Sequence, residues 1–247
     1  RPPVMQVYLS VTNFNKMKTM IKHLTLILII ILPFKLMAQS ADSILLKLIN
    51  GNKRFMSQMT IHPNDDFQAV VRNSTAQKPY ALIHTCADSR VSPELIFDQG
   101  IGDLFVTRVA GNVMGEGGLG SIEYAVEHLG VRFIFILGHT KCGAVTAAVS
   151  GAEVGGNIPW LIKKIEPSYH KVRNRAGDIV DLTARENVLN SIKEVVLDKS
   201  LDELVYAGEI YVAGGIYHIE NGVVEITVPP AQLLALQSLF KTEPKKN

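Results

Sequence analysis

Only two cysteines, Cys86 and Cys142, occur among the 247 residues. Without a third, the chain can build neither a multi-bridge disulfide framework nor a closed all-cysteine zinc site. Charge of one sign is scarce too. The 25 Lys and Arg against 23 Asp and Glu leave a formal net charge of +2, which offers no concentrated basic face and so no nucleic-acid partner. No apolar run reaches the roughly twenty residues that a helix needs to cross a bilayer. There is one tryptophan, Trp160, and neither an internal repeat nor a low-complexity linker. What is present suits a globular domain: 47% of the residues are hydrophobic, and one α/β domain of about 200 residues with an added leader fits the length.

The leader is read over residues 1–39. Lys18 and Lys22 precede the run Leu24 to Leu32, Pro33 breaks it, and Met37-Ala38-Gln39 offers small-residue cleavage chemistry. This is the pattern of a secretory signal peptide. It predicts an exported, periplasmic protein with no stable membrane anchor after cleavage, residues 40–247 forming a single catalytic domain. Residues before Met17 read as lying upstream of the true start. Export bears on the cysteines, since two thiols in an oxidising compartment more often form a disulfide than a metal site. Their neighbours argue the other way: a bridge needs neither His139 near Cys142 nor Asp88 and Arg90 just after Cys86.

Along the mature chain, strand and helix patterns alternate. Ile44, Leu45, Leu48, Ile49 and Phe55 predict an amphipathic helix over 40–59, capped by Asp42 or Ser43 and interrupted at Gly51. Its apolar stripe is more than a lone helix leaves in water, which suggests a second copy of the chain. A short helix follows at 67–73, then strands at 80–85, 103–108, 131–137, 209–213 and 223–228, the last at an edge. Helices fall between them, including 121–129 and 182–197, the latter with Asn187 and Asn190 on or near its stripe. The glycine-rich stretch 115–120 lacks the lysine of a Walker motif and reads as a tight lead-in to the helix at 121. The fold expected is α/β: a mainly parallel central sheet of about five strands flanked by helices, with an N-terminal helical arm.

Two of these strands end in chemistry. The strand 80–85 runs into Cys86-Ala87-Asp88-Ser89-Arg90, and 131–137 runs into Gly138-His139-Thr140-Lys141-Cys142-Gly143. Ligands in open α/β sheets bind beyond strand carboxyl ends. Side by side, these two ends would unite two thiolates and an imidazole, a three-ligand set for Zn²⁺ with one tetrahedral position open, which is the ligand count of a catalytic site. His84, on a buried strand, reads as a packed side chain, and His62, His128, His170 and His218 as structural or solvated.

These segments, with Phe105-Val106-Thr107-Arg108-Val109-Ala110-Gly111-Asn112 and Ser121-Ile122-Glu123-Tyr124-Ala125-Val126, resemble the β-class carbonic anhydrases in order and spacing from about Gly51 to Val228. The resemblance implies a zinc enzyme that hydrates carbon dioxide reversibly to bicarbonate and a proton through zinc-bound hydroxide. It implies Cys86, His139 and Cys142 as zinc ligands and Asp88 with Arg90 as catalytic dyad, Asp88 becoming a fourth ligand in a closed form. Gln77, Phe105, Tyr124 and Gly143 fall at substrate-pocket positions, some reaching across a dimer interface, and the assembly implied is a homodimer or tetramer. The sequence departs from the pattern at Val109, where many members have asparagine, and at Ala110, which replaces a larger pocket residue. Carbon disulfide or carbonyl sulfide as substrate, and a noncatalytic domain bridged between Cys86 and Cys142, are the alternatives.

Overall fold

The computed structural model describes residues 40–242; the leader expected over 1–39 lies outside the described residues. Five strands form one sheet: β1 (Ala81–Thr85), β2 (Leu104–Arg108), β3 (Phe133–His139), β4 (Tyr211–Tyr217) and β5 (Val224–Val228). Their order is β2-β1-β3-β4-β5, parallel except for the antiparallel edge strand β5. The mainly parallel sheet of five strands is therefore as the sequence predicts. From β1 the chain moves outward to β2, then crosses back to lay β3 on the other side of β1. The switch in direction opens a crevice at the carboxyl ends of β1 and β3, where such sheets bind ligands.

The central strands β1 and β3 are buried along their whole length, because helices cover both faces. Alternate residues supply the two cores. Leu82, Ile134, Ile136 and Val212 face one core, against α4 (Glu116–Glu127), α5 (Gly143–Ser150), α6 (Ile158–Val172), α7 (Ile179–Val196) and α9 (Leu233–Thr242). Ile83, Phe133, Phe135 and Leu137 face the other, against α1 (Ala41–Met56) and α3 (Pro93–Ile96). The short helices α2 (Phe67–Asn73) and α8 (Asp202–Tyr206) complete the set. Among the described residues no helix is long and apolar enough to cross a membrane.

Several local expectations are corrected. The glycine-rich stretch is not a lead-in but the first turns of α4, which begins at Glu116. A Cβ at residue 118 would stand 2.9 Å from the Met114 sulfur, so close packing accounts for at least one of its glycines. The strand expected over 131–137 is shifted to Phe133–His139, and the fourth strand from 209–213 to Tyr211–Tyr217. Each extension includes residues that pair with a neighbouring strand, a condition that propensity does not contain. The helix α9 follows β5 without having been foreseen.

Gly51 does not interrupt α1. It lies inside the helix at the point where α1 crosses the Phe97 backbone, and a Cβ there would sit 1.7 Å from the Phe97 carbonyl oxygen. The stripe of α1 is likewise satisfied within the chain: Ala41, Ile44 and Leu48 are buried in the core beneath the sheet, so that stripe is no argument for a second copy. Asn52, the next residue, donates to the carbonyls of Ile96 and Gly222 and accepts from the Val224 N–H. Because a backbone oxygen cannot yield as a side chain can, Gly51→Ala is expected to destabilise the fold by about 3 kcal/mol. Urea unfolding of the variant checks this, and an unchanged midpoint would refute the close-approach account.

Candidate metal centre

Cys86 immediately follows β1, His139 is the last residue of β3, and Cys142 precedes the first turn of α5. Because β1 and β3 are parallel neighbours, with Thr85 beside Leu137, their carboxyl ends lie together. One ligand atom from each of Cys86, His139 and Cys142 lies within 4.8 Å of the others. All three residues are buried, at 4%, 1% and 1% exposure. His139 thus belongs to the strand rather than to the loop after it, which anchors its ring more firmly than a loop would. Lys141 adopts a left-handed conformation, with φ of 55°, and this reverses the chain between His139 and Cys142.

The chemistry of the three donors fits zinc. The Nδ1 of His139 lies 2.8 Å from the Thr140 carbonyl oxygen. A carbonyl only accepts, so Nδ1 carries the hydrogen and Nε2 keeps its lone pair. That Nε2 is buried without any hydrogen-bond partner, an arrangement that costs free energy unless a cation takes the lone pair. Both cysteines are free thiols, so the bridged alternative is not what the structure holds. The Cys86 thiol is lowered to about 4, chiefly by its hydrogen bond with Cys142 and further by the N–H groups of Asp88 and Gly111, against the opposing effect of burial. Cys142 is pushed up, by its bond to Cys86 and by burial. Zinc binding takes both sulfurs as thiolates and so releases whatever protons they carry.

Asp88 and Arg90 stand beside this group. The Arg90 guanidinium forks onto the carboxylate, with Nε 2.9 Å from Oδ1 and an Nη 2.7 Å from Oδ2, and the Arg90 N–H donates to Oδ1 at 3.0 Å. This pairing holds the Asp88 carboxyl well below the usual carboxylate range. Asp88 Oδ2 lies 3.9 Å from His139 Nε2, so the carboxylate borders the space into which the three donors point. Asp88 does not cap α3; the residue at that position is Ser92.

Two contributors escaped the sequence reading. Arg108, at the end of β2, donates to the carbonyls of Cys86 at 3.2 Å and Asp88 at 2.7 Å, which pins the loop that carries both. Gly111 donates its N–H to Cys86 Sγ at 3.1 Å. The available signal was an arginine closing a strand one residue before an Ala-Gly-Asn turn. His84 is fully buried, between Thr107 Oγ1 at 2.8 Å and the Asn112 carbonyl at 3.1 Å. Burial lowers it to about 4, so it is a neutral packed side chain, as expected.

The four pocket positions divide. The rings of Phe105 and Tyr124 lie 6.3 Å apart, and Tyr124 also stacks on His128 at 5.2 Å. Gly143 opens α5 directly after Cys142. Gln77 is exposed on the segment leading into β1 and is no part of the metal group. A groove of about 860 Å³ lies along β2 and the start of α4, lined by Thr107, Arg108, Gly118 and Trp160 but by none of the three donors. It meets the site only through Arg108.

Comparison with known proteins agrees with this geometry. A sequence model of the family described as carbonic anhydrase matches residues 81–224. A carbonic anhydrase of Mycolicibacterium smegmatis is 35% identical over 184 residues, covering 72% of this chain and 89% of its own. Carbonic anhydrase 2 of Mycobacterium tuberculosis H37Rv is 37% identical over 180 residues, covering 71% and 87%. Among solved structures, a tetrameric β-carbonic anhydrase of the ascomycete Sordaria macrospora is 27% identical with a TM-score of 0.58, covering 65% of this chain and 89% of that one. The β-carbonic anhydrase CcaA is 26% identical with a TM-score of 0.59, covering 75% and 99%.

Proposed function

The chain belongs to the β-class carbonic anhydrases, zinc enzymes that hydrate carbon dioxide, and on that premise we propose how its own residues divide the work. Cys86, His139 and Cys142 hold the ion, Asp88 aims the attacking water, and Arg90 aims Asp88. The observation that carries this reading is the unpartnered, buried Nε2 of His139, in a group where one ligand atom each of Cys86, His139 and Cys142 lie within 4.8 Å of one another. Zinc held there supplies Lewis acidity, which lowers the pKa of a water in its open position.

The protein's part is orientation and exclusion. Thr140 keeps the lone pair of His139 facing the sulfurs, and its own hydroxyl donates to Glu220 at 2.8 Å. Asp88 is too acidic beside Arg90 to store a proton at neutral pH. It therefore serves as a fixed hydrogen-bond acceptor that turns a water's lone pair toward the substrate, while the released proton goes to solvent. As long as Arg90 forks onto it, Asp88 is kept from ligating the ion itself, which supports the open rather than the closed arrangement. Carbon dioxide is apolar and uncharged, and the rings of Phe105 and Tyr124 offer it an apolar wall.

We propose self-association as well. Tyr124 is 47% exposed, and Phe67, Val70 and Val71 of α2 are 74%, 45% and 51% exposed, an apolar area that a second copy would cover. Gln77 would reach a pocket only across such an interface. The leader motivates the further proposal that the enzyme works outside the cytoplasm.

Two thiolates and a neutral imidazole cancel the formal charge of the ion. A neutral centre acidifies water less than a three-histidine centre does, so hydration is expected to rise as pH is raised from about 7 toward 9. Stopped-flow carbon dioxide hydration across pH, before and after zinc removal, tests the assignment. Activity that persists unchanged in zinc-free protein would overturn it.

A further inference from the structure

The Gly111 N–H that reaches Cys86 Sγ comes from a turn that local preferences would not hold. Gly111 has φ of 69° and Asn112 φ of 43°, two consecutive left-handed residues, of which only the first is free of a Cβ penalty. A side chain at residue 111 would also meet Ile165 Cδ1 at 2.9 Å and Ala144 Cβ at 3.1 Å. The turn is held from outside. Asn187 Nδ2 donates to the Gly111 carbonyl at 2.7 Å, Ser191 Oγ to the Asn112 carbonyl at 2.9 Å, and His84 Nε2 to that same carbonyl at 3.1 Å.

Asn187 and Ser191 are four residues apart on one face of α7, each 1% exposed, among the apolar Ala184, Val188, Ile192 and Val195. An apolar side chain would suit that stripe better. The Oδ1 of Asn187 is buried with no partner, a free-energy cost that a leucine would not carry. The amide is therefore placed for what its other end holds.

We propose that Asn187, assisted by Ser191, is a positioning residue for the metal centre: it fixes Gly111 so that the N–H points at Cys86 Sγ. This rests on Cys86 being a zinc ligand. The N–H draws electron density from the thiolate, which weakens its donation and keeps the ion a stronger Lewis acid than two unmodified thiolates would allow. Partners of this outer kind tune metal sites and hold their ligands in place.

Cobalt(II) in place of zinc reports the sulfur directly, through its thiolate-to-cobalt charge-transfer band. In Asn187→Leu the band is expected to move to lower energy, and zinc release into a chromogenic chelator to quicken by roughly tenfold as Cys86 loses its positioning, whatever the change in melting midpoint. A purely structural role for Asn187 would lower the midpoint and leave the band in place. Ser191→Ala makes the same test with a smaller perturbation, shifting the band in the same direction, and decides the matter should the leucine variant not fold. A correctly folded variant whose band and release rate both match wild type overturns the proposal. Wild-type protein that takes up no cobalt overturns the metal reading and this inference with it, so the two failures are told apart.

Discussion

Cys142→Ser is expected to bring bound zinc from close to one ion per chain to a small fraction of that, and to cut carbon dioxide hydration at least ~100-fold. A serine hydroxyl is not ionised at neutral pH, so the substitution removes a ligand and a negative charge together. What remains is Cys86, with the N–H groups of Asp88 and Gly111 on its sulfur, and the Nε2 lone pair of His139. Two donors do not retain zinc at a site that must also leave a position open. Because Cys142 is buried and also precedes the first turn of α5, metal analysis should be paired with a melting curve. Stoichiometric zinc and undiminished hydration in the folded variant would refute the ligand assignment.

Arg90→Ala is expected to lower kcat by about 10²-fold with zinc content unchanged. The fork from Arg90 onto Asp88 fixes both carboxylate oxygens, and the Arg90 side chain also lies 3.4 Å from the Lys141 carbonyl. The sign of the pH effect follows from the direction of the shift. Arg90 depresses the pKa of Asp88; without it the carboxyl returns toward about 4 and is still ionised at pH 7. The loss at neutral pH is thus a loss of aim, not of charge, and the deficit should be constant above about pH 6 and deepen in acid as Asp88 begins to protonate. Arg90→Lys keeps the charge but not the planar fork, so it should recover only part of the rate. Full turnover in Arg90→Ala with full zinc would rule out the dyad.

Much of this protein was legible before any coordinates. The apolar runs that become β1 and β3 announce strands buried on both faces, and the residues at their ends carry the donors. The order and spacing of those motifs carried the family resemblance, which the comparisons bear out. Two of the misreadings share a cause. Gly51 looked like a break in α1 and Gly115 to Gly120 like a tight lead-in ahead of α4, because glycine disfavours helix when judged alone. In the fold, at Gly51 and Gly118, the missing Cβ is what lets the helix approach the Phe97 carbonyl in one case and Met114 in the other.

The amino-acid sequence by itself determined the donor set and the period of burial along each strand. These are local properties, expressed within a few residues of backbone. Tertiary structure alone decided that β1 lies beside β3, so that a sulfur from one strand end meets an imidazole and a sulfur from the other. It also decided that Arg108 grips the Cys86 loop and that Asn187, 76 residues from Gly111, sets the N–H on the thiolate. Contacts of that separation depend on strand order and on how a helix seats against the sheet. Both are settled by the packing of the whole core rather than by any segment's own preference.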